Sequence, residues 1–196
     1  MKTVLITGGI GSGKSEVCKI LKSEGIPVYD TDYAVKTLYT TNSELVKNLE
    51  RSLDIELVNK YGKFDFSALS KIIFSSKEKL DKLESIIYPV LLEDIINWKN
   101  KQHTEIVVLE SAIMMCKPLF DRCYDYIILV DAPKELRIER VKQRNNCSTE
   151  QVLKRIEHQN FNTDRKIDAV IYNDSDFNTL KLNTESVFKN IIFAKK

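Results

Sequence analysis

Cysteine is sparse in this chain, with four residues in 196 (Cys18, Cys116, Cys123 and Cys147), and no two of them form a Cys-x-x-Cys pair. That spacing argues against a zinc or disulfide framework and for free thiols in a reducing compartment. Long apolar runs are missing as well. Stretches such as Tyr126–Val130 fall far short of the roughly 20 residues that a membrane helix needs. No charge of one sign dominates: 30 Lys and Arg stand against 28 Asp and Glu, a net +2 that argues for neither nucleic acid nor a membrane surface. Met1-Lys2 leads straight into an apolar segment, which leaves no room for a secretory signal. Repeats, low-complexity tracts and Pro/Gly-rich linkers are absent. The expectation is a cytoplasmic protein of one α/β domain with an insertion, and no obligate protein partner is indicated.

What is present begins at residues 6–15, Ile-Thr-Gly-Gly-Ile-Gly-Ser-Gly-Lys-Ser. Gly8, four residues, then Gly13-Lys14-Ser15 satisfies the phosphate-loop pattern, and the flanks agree with it. Val4-Leu5-Ile6 reads as a buried strand; Val17, Ile20 and Leu21 recur at helical spacing. Glycines allow the backbone to wrap an anion with its N–H groups turned inward. The helix that opens beside Gly13 adds its unpaired N–H groups and positive dipole end. Lys14 has the length to reach the outer phosphates, and the Ser15 hydroxyl is a Mg2+ ligand. A dinucleotide fingerprint fits less well, because Lys14 stands where Gly9-x-Gly11-x-x requires its last glycine. The loop therefore predicts binding of a nucleoside triphosphate.

Further along, Gly25 caps the first helix and Ile26-Pro27-Val28-Tyr29 reads as a second strand that delivers Asp30-Thr31-Asp32 to the sheet edge where open α/β folds bind ligands. Either carboxylate suits Mg2+ or acceptance of a hydroxyl proton, and either equally suits the cap of a helix over 33–39. Helical patterns fill the next 70 or so residues. Leu45, Leu49 and Leu53 form one stripe, and Phe66, Leu69 and Ile73 form another. Ser75-Ser76-Lys77-Glu78 reads as a capping box for a helix with Leu80, Leu83 and Ile87 inward, interrupted and kinked near Tyr88 by Pro89. Strands resume at Ile106–Leu109, followed by Glu110, and at Tyr126–Val130, followed by Asp131. Both resemble a Walker B strand, and the sequence leaves open which acid approaches the metal. Arg137, Arg140 and Arg144 then share one helix face, a set suited to charge stabilisation during phosphoryl transfer. Residues 145–149 read as a hinge, with Ser148 or Thr149 capping the next helix. A last strand, Ala169–Tyr172, leads to Asn173 and a C-terminal helix carrying Leu180, Val187, Phe188 and Ile191. Alternation of strands and helices predicts a five-stranded, mostly parallel sheet with helices on both faces.

Taken together the chain resembles the dephospho-CoA kinases, P-loop enzymes with a fold like that of nucleoside monophosphate kinases. The marks are residues 6–15, Asp30-Thr31-Asp32, Gly62-x-x-Asp65-x-x-x-Leu69, Leu83-Glu84 with Tyr88-Pro89, Arg140-Val141-x-x-Arg144, Arg155-Ile156-x-x-Gln159 and Ala169-x-x-x-Asn173. The resemblance implies transfer of the γ-phosphoryl group of ATP, with Mg2+, to the ribose 3′-hydroxyl of dephospho-CoA. It implies that Gly9, Ile10, Gly11, Ser12, Gly13, Lys14, Ser15 and Glu16 hold ATP, with Asn173 near the adenine. Lys14, Asp32 and Arg140 become the catalytic set, Asp32 being the base or orienter of the hydroxyl, and Tyr88 joins Asp32 in binding the acceptor. It further implies a core of residues 1–32, 104–135 and 167–196, a helical substrate-binding insertion at 33–103 and an arginine-rich lid at 136–166. Three positions depart from the family: Tyr88 replaces its usual histidine, Ala112–Cys116 replaces Pro-Leu-Leu-Phe-Glu, and Glu16 replaces a small hydroxyl residue. Another small-molecule P-loop kinase is the nearest rival, and it would not combine the two aspartates with the Tyr-Pro helix. A guanine switch fails at Asn59-Lys60-Tyr61-Gly62, which lacks the final aspartate; an assembly ATPase would show acceptor-free hydrolysis and nucleotide-dependent oligomers.

Overall fold

The computed structural model describes residues 1–158 and 166–193. Its elements are β1 (Lys2–Thr7), α1 (Lys14–Ser23), β2 (Val28–Asp30), α2 (Thr31–Thr41), α3 (Ser43–Leu53), α4 (Phe66–Ser75), α5 (Lys77–Asn100), β3 (Ile106–Glu110), β4 (Tyr126–Asp131), α6 (Lys134–Asn145), α7 (Thr149–His158), β5 (Ala169–Tyr172) and α8 (Phe177–Phe193), with two short 3-10 turns at Met114–Cys116 and Pro118–Phe120. They form two compact units, residues 1–30 with 102–196, and residues 31–101. Among the described residues no helix is long and apolar enough to cross a membrane.

The first unit is a five-stranded sheet in the order β2-β3-β1-β4-β5, parallel throughout. Near-continuous apolar strands are what a sheet covered on both faces requires, and Val4, Leu5, Ile6, Val107, Val108 and Leu109 are all fully buried. Val17, Ile20 and Leu21 of α1 and Leu180, Phe188 and Ile191 of α8 pack into that core. Register aligns the carboxyl ends of the strands. Asp30 lies beside Glu110, Glu110 beside Ile6, and Asp131 beside Tyr172, so one edge collects the start of the phosphate loop, three acids and Asn173. Helix α1 closes with Gly25 at φ +79°, donating to Lys22 O while Ile26 N donates to Leu21 O, a pairing that needs the left-handed conformation glycine supplies.

The second unit is helical, with Leu45, Val46, Leu49, Leu53, Leu57, Leu69, Leu83 and Ile87 in its core. Asn42 caps α3 by accepting from Leu45 N, and Asp65 caps α4 by accepting from Ser67 N and Ala68 N. The capping box foreseen at Ser75–Glu78 takes a different form. Ser75 ends α4, Ser76 caps α5 by accepting from Lys79 N, and Glu78 pairs with Lys82 one turn on. Nor does Pro89 interrupt α5, which runs unbroken over 24 residues. Proline removes one N–H donor, but Leu83, Ile87, Leu91 and Ile95 recur every four residues on one buried face and hold the helix on both sides of it.

Candidate active site

The phosphate loop is positioned from β1 and held by the sheet unit. Lys14 Nζ donates to Gly8 O at 2.7 Å, folding the side chain back over the loop. Gly8, Gly11 and Gly13 have φ of +152°, +80° and +95°, and a Cβ on Gly8 would strike the carbonyl of Val130. The chain turns at these positions because glycine permits it. A buried side chain then locks the far half of the loop. Asn173 Nδ2 donates to Ser12 O at 2.9 Å and sits where a Cβ on Gly13 would be, while Asn173 N donates to Asp131 O at 2.8 Å.

Ser15 Oγ donates to Glu110 Oε1 at 2.7 Å. This contact separates the two acids that the sequence left equivalent. Asp131 instead accepts from the N–H of Ala132 through Oδ1, a local turn contact. The buried Cys18 thiol, on the next turn of α1, also hydrogen-bonds Glu110. Burial, and then the charge of that carboxylate, push the thiol well above its ordinary range, so it remains a protonated donor. All four cysteines are free. A hydroxyl and a carboxylate at the end of the sheet are hard oxygen donors of the kind Mg2+ takes. Among the described residues no cluster of three or more His, Cys, Asp or Glu exists to enclose a metal. Such a sparse set fits Mg2+, which keeps its waters and takes phosphate oxygens for the rest of its shell.

The basic helix meets the loop at two places. Arg140 Nη2 donates to Asn173 Oδ1 at 3.3 Å, and its Nη1 is buried without a hydrogen-bond partner. Arg137 Nε donates to Ile10 O at 3.0 Å. Arg144 is exposed and bonds Asn145 beside it. Past α6, Ser148 closes a reciprocal box with Gln151, each accepting from the other's backbone N–H. Gln159, one of the family marks, and Arg165, which falls in the lid range 136–166, lie outside the described residues.

In the helical unit, Asp32 occupies the exposed first turn of α2, two residues along the chain from Asp30. Tyr88 OH donates to Glu84 Oε1 at 2.7 Å, one turn back on α5. Burial first and that carboxylate second raise the phenol far above its ordinary value. Glu16 is an exposed surface residue that pairs with Lys19. A groove of about 510 Å³ is lined by Tyr39, Val46, Lys47, Lys63, Phe64 and Phe66, with the Tyr39 and Phe64 rings stacked at 4.7 Å. Sequence reasoning had no access to three contacts that stand out here, Glu110 with Ser15, Cys18 with Glu110, and Arg137 with Ile10. Their partners are distant in the chain or bond through backbone atoms.

The sequence model of the dephospho-CoA kinase family matches residues 2–179. A dephospho-CoA kinase of Porphyromonas gingivalis is 36% identical over 156 residues, covering 80% of this chain and 76% of that protein. A solved structure from Thermus thermophilus superposes with a TM-score of 0.82 at 30% identity, covering 97% of each chain. A dephospho-CoA kinase from Campylobacter jejuni shares the fold at a TM-score of 0.66 and 24% identity, covering 97% of this chain and 98% of that one.

Proposed function

The chain belongs to the dephospho-CoA kinase family, which carries out the final step of coenzyme A biosynthesis, and on that premise we propose how its own residues divide the work. ATP is the donor. Its phosphates lie in the loop Gly9–Glu16, wrapped by inward N–H groups at the opening of α1, with Lys14 leaving Gly8 O to meet the outer phosphates. Asn173 serves the nucleotide from beside Ser12 and Gly13, where it also anchors Arg140. The unpartnered buried Nη1 of Arg140 gains an acceptor when phosphate oxygens arrive, which makes this arginine a phosphate-binding cation of the lid, residues 136–166.

Ser15 and Glu110 hold Mg2+, directly or through its waters. The metal, when bound, neutralises charge on the β- and γ-phosphate oxygens. Cys18 keeps Glu110 in place when the Ser15 hydroxyl turns to the metal.

The acceptor belongs to the helical unit. Asp32 orients the ribose 3′-hydroxyl of dephospho-CoA and takes its proton as the oxygen–phosphorus bond forms and the bond from the γ-phosphorus to the bridging oxygen of ADP breaks. Lys47 and Lys63 make no ion pair among the described residues. With Phe64 and Phe66 they offer charge and apolar surface to the pyrophosphate and arm of the same molecule. Tyr88 supports this wall through Glu84. Balanced charge and four free thiols fit action in the cytoplasm.

The observation that carries this reading is the Ser15–Glu110 pair beside the phosphate loop, which combines a metal seat with a triphosphate cradle. The test is ADP release with Mg2+ and ATP when dephospho-CoA, AMP, CMP, shikimate or no acceptor is offered. Release that depends on dephospho-CoA supports the assignment; equal release with another acceptor, or with none, overturns it.

A further inference from the structure

Arg137 shares its helix face with Arg140 and Arg144, and of the three it alone bonds the backbone of the phosphate loop directly. Its Nε donates to Ile10 O at 3.0 Å. A Cβ on Gly9 would collide with its guanidinium, and one on Gly11 would collide with its backbone carbonyl. Both glycines therefore lie against residue 137, Gly9 against its guanidinium and Gly11 against its backbone. Among the described residues the side chain makes that single hydrogen bond and no ion pair, so its remaining N–H donors have no carboxylate to satisfy them. A half-buried guanidinium with donors to spare stands beside a loop whose own N–H groups attract anions.

Two of the three arginines of α6 address opposite ends of the loop. Arg140 reaches Ser12 and Gly13 through Asn173. Arg137, one turn earlier, sits at Gly9 and Ile10. Lys14 Nζ rests on Gly8 O, so Lys14 and Arg137 place two cations on neighbouring residues at the start of the loop. A phosphate-loop lysine serves the β- and γ-phosphates, and a cation beside it meets the same end of the nucleotide.

We propose that Arg137 is a second arginine of phosphoryl transfer, holding the Gly9–Ile10 end of the loop through Nε and giving its free N–H groups to the terminal phosphate beside Lys14. The proposal rests on the assignment of the loop to ATP. During transfer, charge spreads over the moving phosphoryl group and the leaving oxygen, and a fixed guanidinium at that end stabilises it. The acceptor proton still goes to Asp32, and Arg137 stays charged throughout.

Arg137→Gln separates the two parts of the role, because an amide can still donate to Ile10 O but carries no charge. Arg137→Ala removes both. The measurements are kcat and the gain in ADP affinity when aluminium fluoride mimics the transferring phosphoryl group. Both variants should lose about 100-fold in kcat and most of the aluminium fluoride gain, while ADP alone binds Arg137→Gln within about threefold of the native protein. An Arg137→Gln protein with native kcat and a native gain overturns the proposal and leaves Arg137 as a latch on the loop. Should Arg137→Ala fail to fold, Arg137→Gln alone decides. If the native protein shows no binding of ADP or ATP, it is the assignment of the loop that fails, a result separate from any difference between variants.

Discussion

In the sheet unit the polar side chains around the loop are tied across long stretches of chain, Ser15 to Glu110 and Asn173 to Ser12. In the helical unit most fixed polar contacts are short in sequence and finish helices: Asn42 on α3, Asp65 on α4, Ser76 on α5, and Tyr88 on Glu84 one turn away. The first unit has a preorganised cradle whose shape is set by backbone at glycines. The second is held by a leucine and isoleucine core and leaves lysines and aromatic edges around a groove. With the donor and acceptor assigned to the two units as proposed above, the difference follows from the ligands. Every triphosphate has the same charge and spacing, so a rigid seat serves it; an acceptor is recognised by varied surface, which apolar packing beneath leaves free to differ.

The strongest way to break this comparison is Lys14→Ala. Removing the cation over Gly8 should lower kcat/KM by about 1,000-fold or more while the protein still folds, because Lys14 lies outside the apolar core. A loss below about tenfold, or ~1.4 kcal/mol, means that the loop is not the donor site. Asp32→Asn comes next and tests the other unit. Transfer should fall by about 100-fold to 10,000-fold with ATP affinity unchanged, since Asp32 lies in the exposed turn of α2 outside the loop. Near-native transfer, read as acceptor-dependent ADP release, would reduce Asp32 to a favourable charge at a helix start.

Glu110→Gln is a sharper probe of the sheet unit. The amide keeps its shape and still accepts from Ser15, but its charge is gone. The Mg2+ concentration for half-maximal rate should rise about tenfold, and Mn2+ binding to the ADP complex, followed by paramagnetic resonance, should weaken in parallel. Asp131→Asn serves as the control, because its side chain is occupied by Ala132 N. If the two variants change places in that experiment, the acid near the metal has been misassigned.

What the residues disclosed in advance follows the same division. The loop, the five strands and the capping role of Ser148 were readable because each is local: a motif, an apolar run, a hydroxyl three residues before its partner. Glu110 and Asp131 were not separable, because both end apolar strands and only the 95-residue contact from Ser15 distinguishes them. Arg137 shared a predicted face with Arg140 and Arg144, yet its contact is with a backbone carbonyl, which has no signature in side-chain pattern. Pro89 misled for the opposite reason. Its local cost is real, but four apolar residues buried on one face of α5 outweigh a single lost hydrogen bond. Two family marks have a structural part: Asp65 caps α4 and Leu69 fills the helical core, so both sustain the fold.

Tyr88→Phe is the mildest test and bears on the family position where this chain departs from histidine. The hydroxyl is committed to Glu84 within α5, and burial with that carboxylate keeps it protonated at any pH the protein meets. Deleting it removes one internal hydrogen bond, about 1 kcal/mol of stability. The KM for dephospho-CoA should stay within about threefold of native and the KM for ATP should not move. A larger rise for the acceptor alone would show that the ring-borne hydroxyl turns from Glu84 to the ligand, and that a second side chain of the helical unit, besides Asp32, works directly on substrate.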